Sequence, residues 1–250
     1  MWSAAALQML YRIGNTPIHS YPFPHIYVRD VFPAEFYEEL IGNLPPRDAF
    51  APLSKVRPIS SDVYDKTRSV VNLDPESVGK LGEPYRAFWE RVARMVVGSE
   101  LGKLVFEKFG ELIQARFKGG PNVELFDEAL LVRDTQNYAL GPHTDSPLKV
   151  AAFLFYLPAD DSQPHLGTSI YVPKDRRFTC PGGPHHRFDG FDRMLTMPYL
   201  PNSLFAFFKT SNSFHGVEPV NDAGAQRNLL LYDLRIRPQP QPDDEGAPTA

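Results

Sequence analysis

His143 and Asp145, near the middle of the chain, are two residues whose side chains bind metal ions, and they stand two positions apart in the stretch GPHTDSPLKV. In an extended segment, residues i and i+2 point to the same face, so both side chains can reach one ion. His215, in the strand-like segment NSFHGVEPV, is the candidate third ligand. The spacing predicts a metal site, although the many turn-forming residues of GPHTDSP also suit a solvated turn.

The residue types in this set indicate which kind of metal site they could form. Two histidines and one carboxylate on one face of a metal form the facial triad of non-heme Fe(II) oxygenases, which leaves positions open for substrate and oxygen. Arg227 follows at the head of the apolar run RNLLLYDL, and a guanidinium binds a carboxylate through two parallel hydrogen bonds. We expect it to bind the distal carboxylate of a 2-oxoglutarate co-substrate. Tyr156 shares a strand face with Ala152 and Leu154, and its hydroxyl could help to hold the same carboxylate.

The elements that would position these residues fall into two parts. In the N-terminal part, apolar residues at 3-4 spacing and helix-stop signals predict several helices and one strand, with an irregular segment at 47–75. We expect helices over residues 1–12, 33–44, 83–97 and 99–117, and a strand within 20–32.

From about residue 124 the pattern changes to short apolar runs separated by turns, which is typical of an all-β barrel or sandwich. The runs are 128–134, 149–157, 167–173, 193–200, 203–210, 214–220 and 227–236. We therefore predict a mainly β protein, with a helical layer over residues 1–120 and a β-barrel core over 124–236. Residues 1–238 would form one domain, since no linker separates the parts. The proline-rich tail, residues 239–250, is predicted to be disordered.

Composition excludes several classes of protein. The 250 residues include 25 prolines, which disfavours a fold of long helices. The net charge of −4 gives no basic surface for nucleic acid. No apolar stretch has the length of a membrane span, and the N-terminus has no signal-peptide pattern. Cys180 is the only cysteine, which is compatible with a reducing compartment. We expect a soluble cytoplasmic protein.

The motifs together resemble a known family. HTD at 143–145, FHGV at 214–217 and Arg227 look like the HxD…H…R pattern of the 2-oxoglutarate- and Fe(II)-dependent dioxygenases, in the prolyl-4-hydroxylase-like branch. FYLPAD with LGTSIYVPK resembles the next barrel strands of that branch, and PFPHIYVRDVFPAEFYEEL resembles its N-terminal opening. The resemblance covers most of residues 20–236.

The resemblance implies a fold, a cofactor and a reaction. The fold would be a double-stranded β-helix, a jelly-roll or cupin-like barrel, with helices packed on one side. Fe(II) would be bound by His143, Asp145 and His215. The co-substrate 2-oxoglutarate would pair with Arg227 and be converted to succinate with O2 while a C–H bond is hydroxylated, with ascorbate as a possible reductant. Since Asp145 is retained, halogenation is disfavoured.

This chain also departs from the family pattern. A tyrosine often found about ten positions before the first histidine is replaced by Arg133, and Tyr138 is the candidate substitute in co-substrate binding. This departure weakens any direct transfer of peptidyl-proline specificity. The substrate, a small molecule or a peptide, is therefore left open, as are oligomeric state and the choice between hydroxylation, demethylation, desaturation and cyclisation. The loops at 159–166 and 179–192, with segment 47–75, are expected to shape the entrance.

Two other interpretations compete with the oxygenase. A non-catalytic cupin-like barrel could hold a metal or a sugar, but such barrels more often carry an HxH pair with a nearby glutamate, and a binder has no need of Arg227. His185 and His186 are a tempting extra pair, but the loop GGPHHRFDG has no strand periodicity, so we expect both to be exposed loop residues.

Overall fold

The computed structural model describes residues 3–56, 66–98, 100–120 and 122–238. Six α-helices lie entirely within these ranges, and all of them precede the long central strands. They are α1 (Ala4–Asn15), α2 (Ala34–Gly42), α3 (Pro75–Gly79), α4 (Tyr85–Val96), α5 (Glu100–Lys108) and α6 (Gly110–Phe117).

The strands of the described ranges form two antiparallel sheets. The larger sheet has seven strands in the order β1 (His25–Arg29), β9 (Ser203–Phe208), β6 (Lys149–Tyr156), β11 (Gln226–Ile236), β4 (Leu125–Thr135), β3 (Arg68–Asn72) and β2 (Ala51–Pro52). The smaller sheet has four, in the order β5 (Leu140–His143), β10 (His215–Val217), β7 (Thr168–Pro173) and β8 (Phe191–Met197).

The larger sheet is buried on both faces because its strands are apolar on both. Phe153 and Phe155 of β6 pack with the helices, in a cluster that includes Trp89 of α4. Ala152 and Tyr156, on the alternate face, join a second cluster with residues of the smaller sheet, such as Ile170. The fold is therefore a double-stranded β-helix with helices packed on one side, which confirms the predicted fold class.

Most predicted elements form at nearly the predicted positions, but two do not. The irregular segment 47–75 contains strand β3 and ends in α3, and residues 57–65 of it lie outside the described ranges. The helix expected over 99–117 is two helices separated at Phe109. Gly110 lies at this break, where glycine adds no side-chain support to a continuous helix.

The N-terminal part is less separate from the barrel than predicted. It supplies β1, β2 and β3 to the seven-stranded sheet, and β3 pairs with β4 from Arg68 to Asn72. The tail predicted to be disordered, residues 239–250, lies outside the described residues. In the ranges that the structure describes, no helix has both the length and the apolar character needed to cross a bilayer.

Candidate active site

Strand pairing brings the two predicted histidine ligands together. Strands β5 and β10 pair antiparallel with His143 directly opposite His215. Asp145 follows two residues after His143, just beyond the end of β5. One ligand atom from each of the three side chains lies within 4.8 Å of the other two. Gly216 permits this close pairing, because a Cβ there would stand only 2.4 Å from the carbonyl oxygen of Leu140.

Backbone carbonyls fix the orientation of both imidazoles. The Nδ1 atom of His143 lies 3.0 Å from the carbonyl oxygen of Gly141, and Nδ1 of His215 lies 3.0 Å from that of Ser213. A carbonyl oxygen only accepts, so each Nδ1 carries the proton and each Nε2 presents a lone pair. This is the arrangement that a metal-binding histidine adopts.

Burial keeps both imidazoles neutral. Burial lowers the pKa of His143 well below its ordinary value of 6.5, and the neighbouring His215 lowers it further. Burial also lowers the pKa of His215. Since only a neutral imidazole binds a metal, both rings are in the required form at neutral pH.

The carboxylate of Asp145 has two unlike oxygens. Oδ1 lies 3.3 Å from Nζ of Lys149, whereas Oδ2 is buried and accepts no hydrogen bond from any described residue. Burial raises the pKa of Asp145, but Lys149 and the two histidines lower it by more, so the group is ionised. A buried anionic oxygen without a donor is unfavourable unless a cation binds it. The donor set therefore fits a divalent metal ion.

The three side chains line a cavity of about 300 Å³ that also reaches Arg227. This volume is at the lower end of the range for small-molecule sites. Its walls combine apolar side chains with polar groups at the triad, in the turn that follows it and around Arg227. The apolar lining includes Leu140, Ala152, Leu154, Phe207, Val217 and Leu231.

Arg227 belongs to a buried charge cluster. Its side chain is 1% exposed and donates from Nε to the carbonyl oxygen of Leu166, from NH1 to Asp134 and from NH2 to Thr168. A guanidinium has five N–H groups, so two have no acceptor in the described part of the chain. Arg68 binds the same Asp134 carboxylate through two hydrogen bonds of 2.6 and 2.8 Å. Two guanidiniums thus share one carboxylate, and the two remaining N–H groups of Arg227 suit an anionic ligand.

The two tyrosines predicted to bind the co-substrate are both buried but are placed differently. The ring of Tyr156 lies 5.8 Å from the guanidinium carbon of Arg227, and its hydroxyl accepts a hydrogen bond from the amide of Thr168. Tyr138 packs beneath Arg68, with its ring centroid 4.5 Å from that guanidinium carbon. Neither tyrosine is among the residues that line the cavity. A direct contact from either to the co-substrate stays a prediction.

Several charged residues of the site were missed by the motif search. Lys149 bridges Asp145 and Asp233, at 3.3 and 3.0 Å, and Asp134 bridges Arg68 and Arg227. Lys149 and Asp233 lie on different strands, as do Asp134 and its two arginine partners. The only available signal was a charged residue at an inward position of an otherwise apolar strand, and that signal does not identify the partner.

Two of the three segments expected at the entrance do contribute to the cavity. Leu53 and Arg68 come from segment 47–75, and Gly183 and His185 come from loop 179–192. His185 is exposed, as expected of a loop residue, but its ring centroid lies 4.7 Å from that of His143. None of the residues at 159–166 is among the lining residues.

Comparisons with known proteins bear on the fold. The sequence matches no protein-family model and no curated protein. Among solved structures, a prolyl-4-hydroxylase from Pseudomonas putida superposes with a TM-score of 0.50 at 15% identity, covering 92% of this chain and 98% of that one. A prolyl 4-hydroxylase structure from Phytophthora capsici gives a TM-score of 0.51 at 13% identity, covering 100% and 72%. The non-heme alpha ketoglutarate dependent epimerase SnoN of nogalamycin biosynthesis gives 0.50 at 13%, covering 97% and 91%.

These similarities show the fold. The chain has the double-stranded β-helix of 2-oxoglutarate and Fe(II) oxygenases, and two of the three structures are prolyl-4-hydroxylases. The similarity confirms the fold that the resemblance of the sequence motifs implied. At identities of 13–15% it does not extend to a specific activity.

Proposed function

We propose that this protein is an Fe(II)- and 2-oxoglutarate-dependent dioxygenase that hydroxylates a C–H bond. One observation carries the proposal: His143, Asp145 and His215 converge in the same cavity that reaches Arg227. A metal triad and a carboxylate-binding group are the two parts that this co-substrate requires. A cupin-like binding barrel, the competing interpretation, would need the triad but not a buried guanidinium in the same cavity.

The triad residues would hold Fe(II) through Nε2 of both histidines and one oxygen of Asp145. When bound, the ion supplies the redox chemistry in which O2 converts 2-oxoglutarate to succinate and CO2 and places one oxygen atom on the substrate. Ascorbate would serve only to keep the iron reduced. The chain contributes a fixed ligand set with open positions and an apolar wall that limits water.

Arg227 would bind the distal carboxylate of 2-oxoglutarate with its two remaining N–H groups. Asp134 would hold the guanidinium of Arg227 in place for this contact. Tyr156 supports the guanidinium from one side, and we propose that it also helps to orient the co-substrate. Tyr138 would affect co-substrate binding only indirectly, through its contact with Arg68.

The substrate would be a small molecule or a residue of a peptide. Structures of the same fold include prolyl-4-hydroxylases and an epimerase of nogalamycin biosynthesis. We place the substrate at the open end of the cavity, near His185 and Gly183. The same site would also suit related outcomes such as desaturation, which depend on where the substrate carbon lies.

The test is formation of succinate from 2-oxoglutarate by the purified protein with Fe(II), ascorbate and O2. We expect slow turnover without substrate, lost in His143→Ala and Asp145→Ala. In Arg227→Ala the KM for 2-oxoglutarate should rise by at least about 30-fold, since truncating one partner of a buried charge pair costs about 2 kcal/mol or more. His165→Ala and Arg237→Ala are matched controls, because both side chains form exposed ion pairs away from the cavity.

Calorimetry covers the case in which turnover waits for substrate. With Mn²⁺ in place of Fe(II) and without O2, wild-type protein should bind 2-oxoglutarate only when the metal is present. If the protein showed no turnover and also no metal-dependent binding of 2-oxoglutarate, the oxygenase proposal would be refuted. Metal binding that is indifferent to 2-oxoglutarate and to Arg227→Ala would favour the binding barrel.

A further inference from the structure

A buried ion pair lies directly behind the metal-facing carboxylate of Asp145. Nζ of Lys149 lies 3.3 Å from Oδ1 of Asp145 and 3.0 Å from Oδ2 of Asp233. The side chains of Lys149 and Asp233 are 12% and 1% exposed. This Asp145–Lys149–Asp233 chain is distinct from the Arg227 cluster, and the oxygenase proposal gives it no role.

Asp233 and Lys149 are both held by strands of the larger sheet. Asp233 lies on β11, which is paired along most of its length with β4 and β6. Lys149 is the first residue of β6, and its amide donates to the carbonyl oxygen of Ser146, which closes the turn after Asp145. The ammonium is therefore fixed by groups that do not belong to the metal site.

We propose that Lys149, anchored by Asp233, is a positioning residue that binds Oδ1 of Asp145 and so turns Oδ2 toward the metal. The inference rests on the proposed function, since it concerns the same ion. Its basis is the asymmetry of the carboxylate: the ammonium contacts Oδ1, and Oδ2 is the buried oxygen that accepts no hydrogen bond from the described residues. One oxygen would then bind the ion, and the other would be unable to occupy a position needed by the co-substrate.

A simpler role for Lys149 predicts the opposite sign. If the ammonium only balances the charges of Asp145 and Asp233, its removal leaves more negative charge beside the ion, and metal affinity should rise. If it orients Asp145, its removal should lower metal affinity, because groups that orient metal ligands typically contribute about 10–100-fold. The direction of the change therefore separates the two roles.

The principal variant is Lys149→Met/Asp233→Asn, which removes one positive and one negative charge together. It keeps the net charge of the site and leaves no buried charge unpaired apart from Asp145 itself. The control is Lys103→Met/Glu100→Gln, which removes the same two charges from an exposed ion pair on α5. Lys149→Gln is the second variant, for the case in which the double variant fails to fold. Its amide can still form a hydrogen bond with Asp233.

The measurement is Mn²⁺ affinity without 2-oxoglutarate or O2, together with the visible spectrum of bound Co²⁺, which reports ligand geometry. We expect about 10–100-fold weaker Mn²⁺ binding and an altered Co²⁺ spectrum in the double variant. Lys149→Gln should also bind more weakly than wild type, and the control should equal wild type. Unchanged or tighter binding in a folded Lys149 variant, with an unchanged spectrum, would overturn the positioning role alone. A wild-type protein that binds neither ion would instead overturn the proposed function and this inference with it.

Discussion

Asp134 is the residue that holds two buried guanidiniums together. Its side chain is fully buried, and it accepts hydrogen bonds from Arg68, which is 14% exposed, and from Arg227, which is 1% exposed. Without Asp134, two like charges would lie close together in an apolar cavity. The residue thus joins Arg68 of β3 to Arg227 of β11 beside the proposed co-substrate site.

We therefore expect Asp134→Ala to lower the free energy of unfolding by about 3–5 kcal/mol, the typical cost of removing one partner from a buried ion pair. Urea denaturation monitored by circular dichroism measures this loss. The control is Asp192→Ala, which breaks an exposed ion pair with Arg176 and should cost less than about 1 kcal/mol. Equal stabilities of the two variants would contradict the role given to Asp134.

Metal binding should depend on pH in a way set by the buried histidines. Because the pKa values of His143 and His215 lie below 6.5, Mn²⁺ affinity should change by less than about fourfold between about pH 7.5 and about pH 6.5. At pH values below both pKa values, two protons compete with one ion, and affinity should fall by about 100-fold per pH unit.

The stability of the metal-free protein should already fall in the adjoining window, between pH 6.5 and the lowered pKa values of the native histidines. As the pH drops from 6.5 through the lowered pKa values, these two histidines take up protons in the unfolded chain but not in the native site, which favours unfolding. Isothermal titration at several pH values, with parallel thermal melts, checks both expectations. A loss of affinity that begins above about pH 7 would show that the pKa values are not lowered.

Among individual residues, the sequence predicted the metal ligands but not the charged groups that contact them. His143, Asp145 and His215 could be found because an i, i+2 pair shares a strand face, and because FHGV and Arg227 follow on later strands. Asp134 could not be assigned, since Arg68 and Arg227 come from strands far away in the chain. The same holds for the ion pair of Lys149 with Asp233. Pairing of that kind is determined by sheet topology, which local sequence patterns do not encode.

Among the elements, loop 179–192 depends on the backbone of strand β5. The amide of His186 donates to the carbonyl oxygen of Pro142, and Thr144 donates from its hydroxyl to the carbonyl oxygen of Cys180. At Gly141 an added Cβ would lie 2.3 Å from the carbonyl oxygen of His186. The strand and the loop can approach this closely only because residue 141 has no side chain.

Gly141→Ala should therefore push the loop away from the cavity and cost about 1–3 kcal/mol, as overpacking of a tight contact usually does. Hydrogen exchange followed by mass spectrometry should show faster exchange in peptides covering residues 179–190. Gly190→Ala, in the same loop, is the matched control, because a Cβ there would meet no atom within 4 Å. Similar exchange in the two variants would mean that the contact at Gly141 does not hold the loop.

The strands of the barrel, apart from β5, were predictable because each apolar run is about one strand long and ends at a turn. Strand β3 was not, since RSVVN is short and lies beside Pro- and Ser-rich sequence, and it acquires its strand form by pairing with β4. The break between α5 and α6 was also missed. The 3-4 pattern of apolar residues continues through Phe109, so periodicity alone predicts one helix there.

For the whole molecule, metal binding and folding should be linked, because the triad joins residues that come together only in the folded chain. An ion that binds only the native state adds about 2.7 kcal/mol when its concentration is 100 times Kd. For a chain of 250 residues this should raise Tm by about 5–10 °C.

Differential scanning fluorimetry with Mn²⁺ measures the shift. His143→Ala should abolish it, and His165→Ala should leave it intact. A shift that persists in His143→Ala would place the stabilising ion elsewhere on the protein.

The direct pairing of His143 with His215 has a mechanical consequence. Strand β5 is an edge strand of four residues, and its pairing with β10 is interrupted by an irregularity between His215 and Val217. An ion held by both histidines would act as a crosslink between these strands and would fix their register, because a slip of one residue would move His143 to the other face. Metal loading would then hold together a short sheet edge that is joined by only a few backbone pairings.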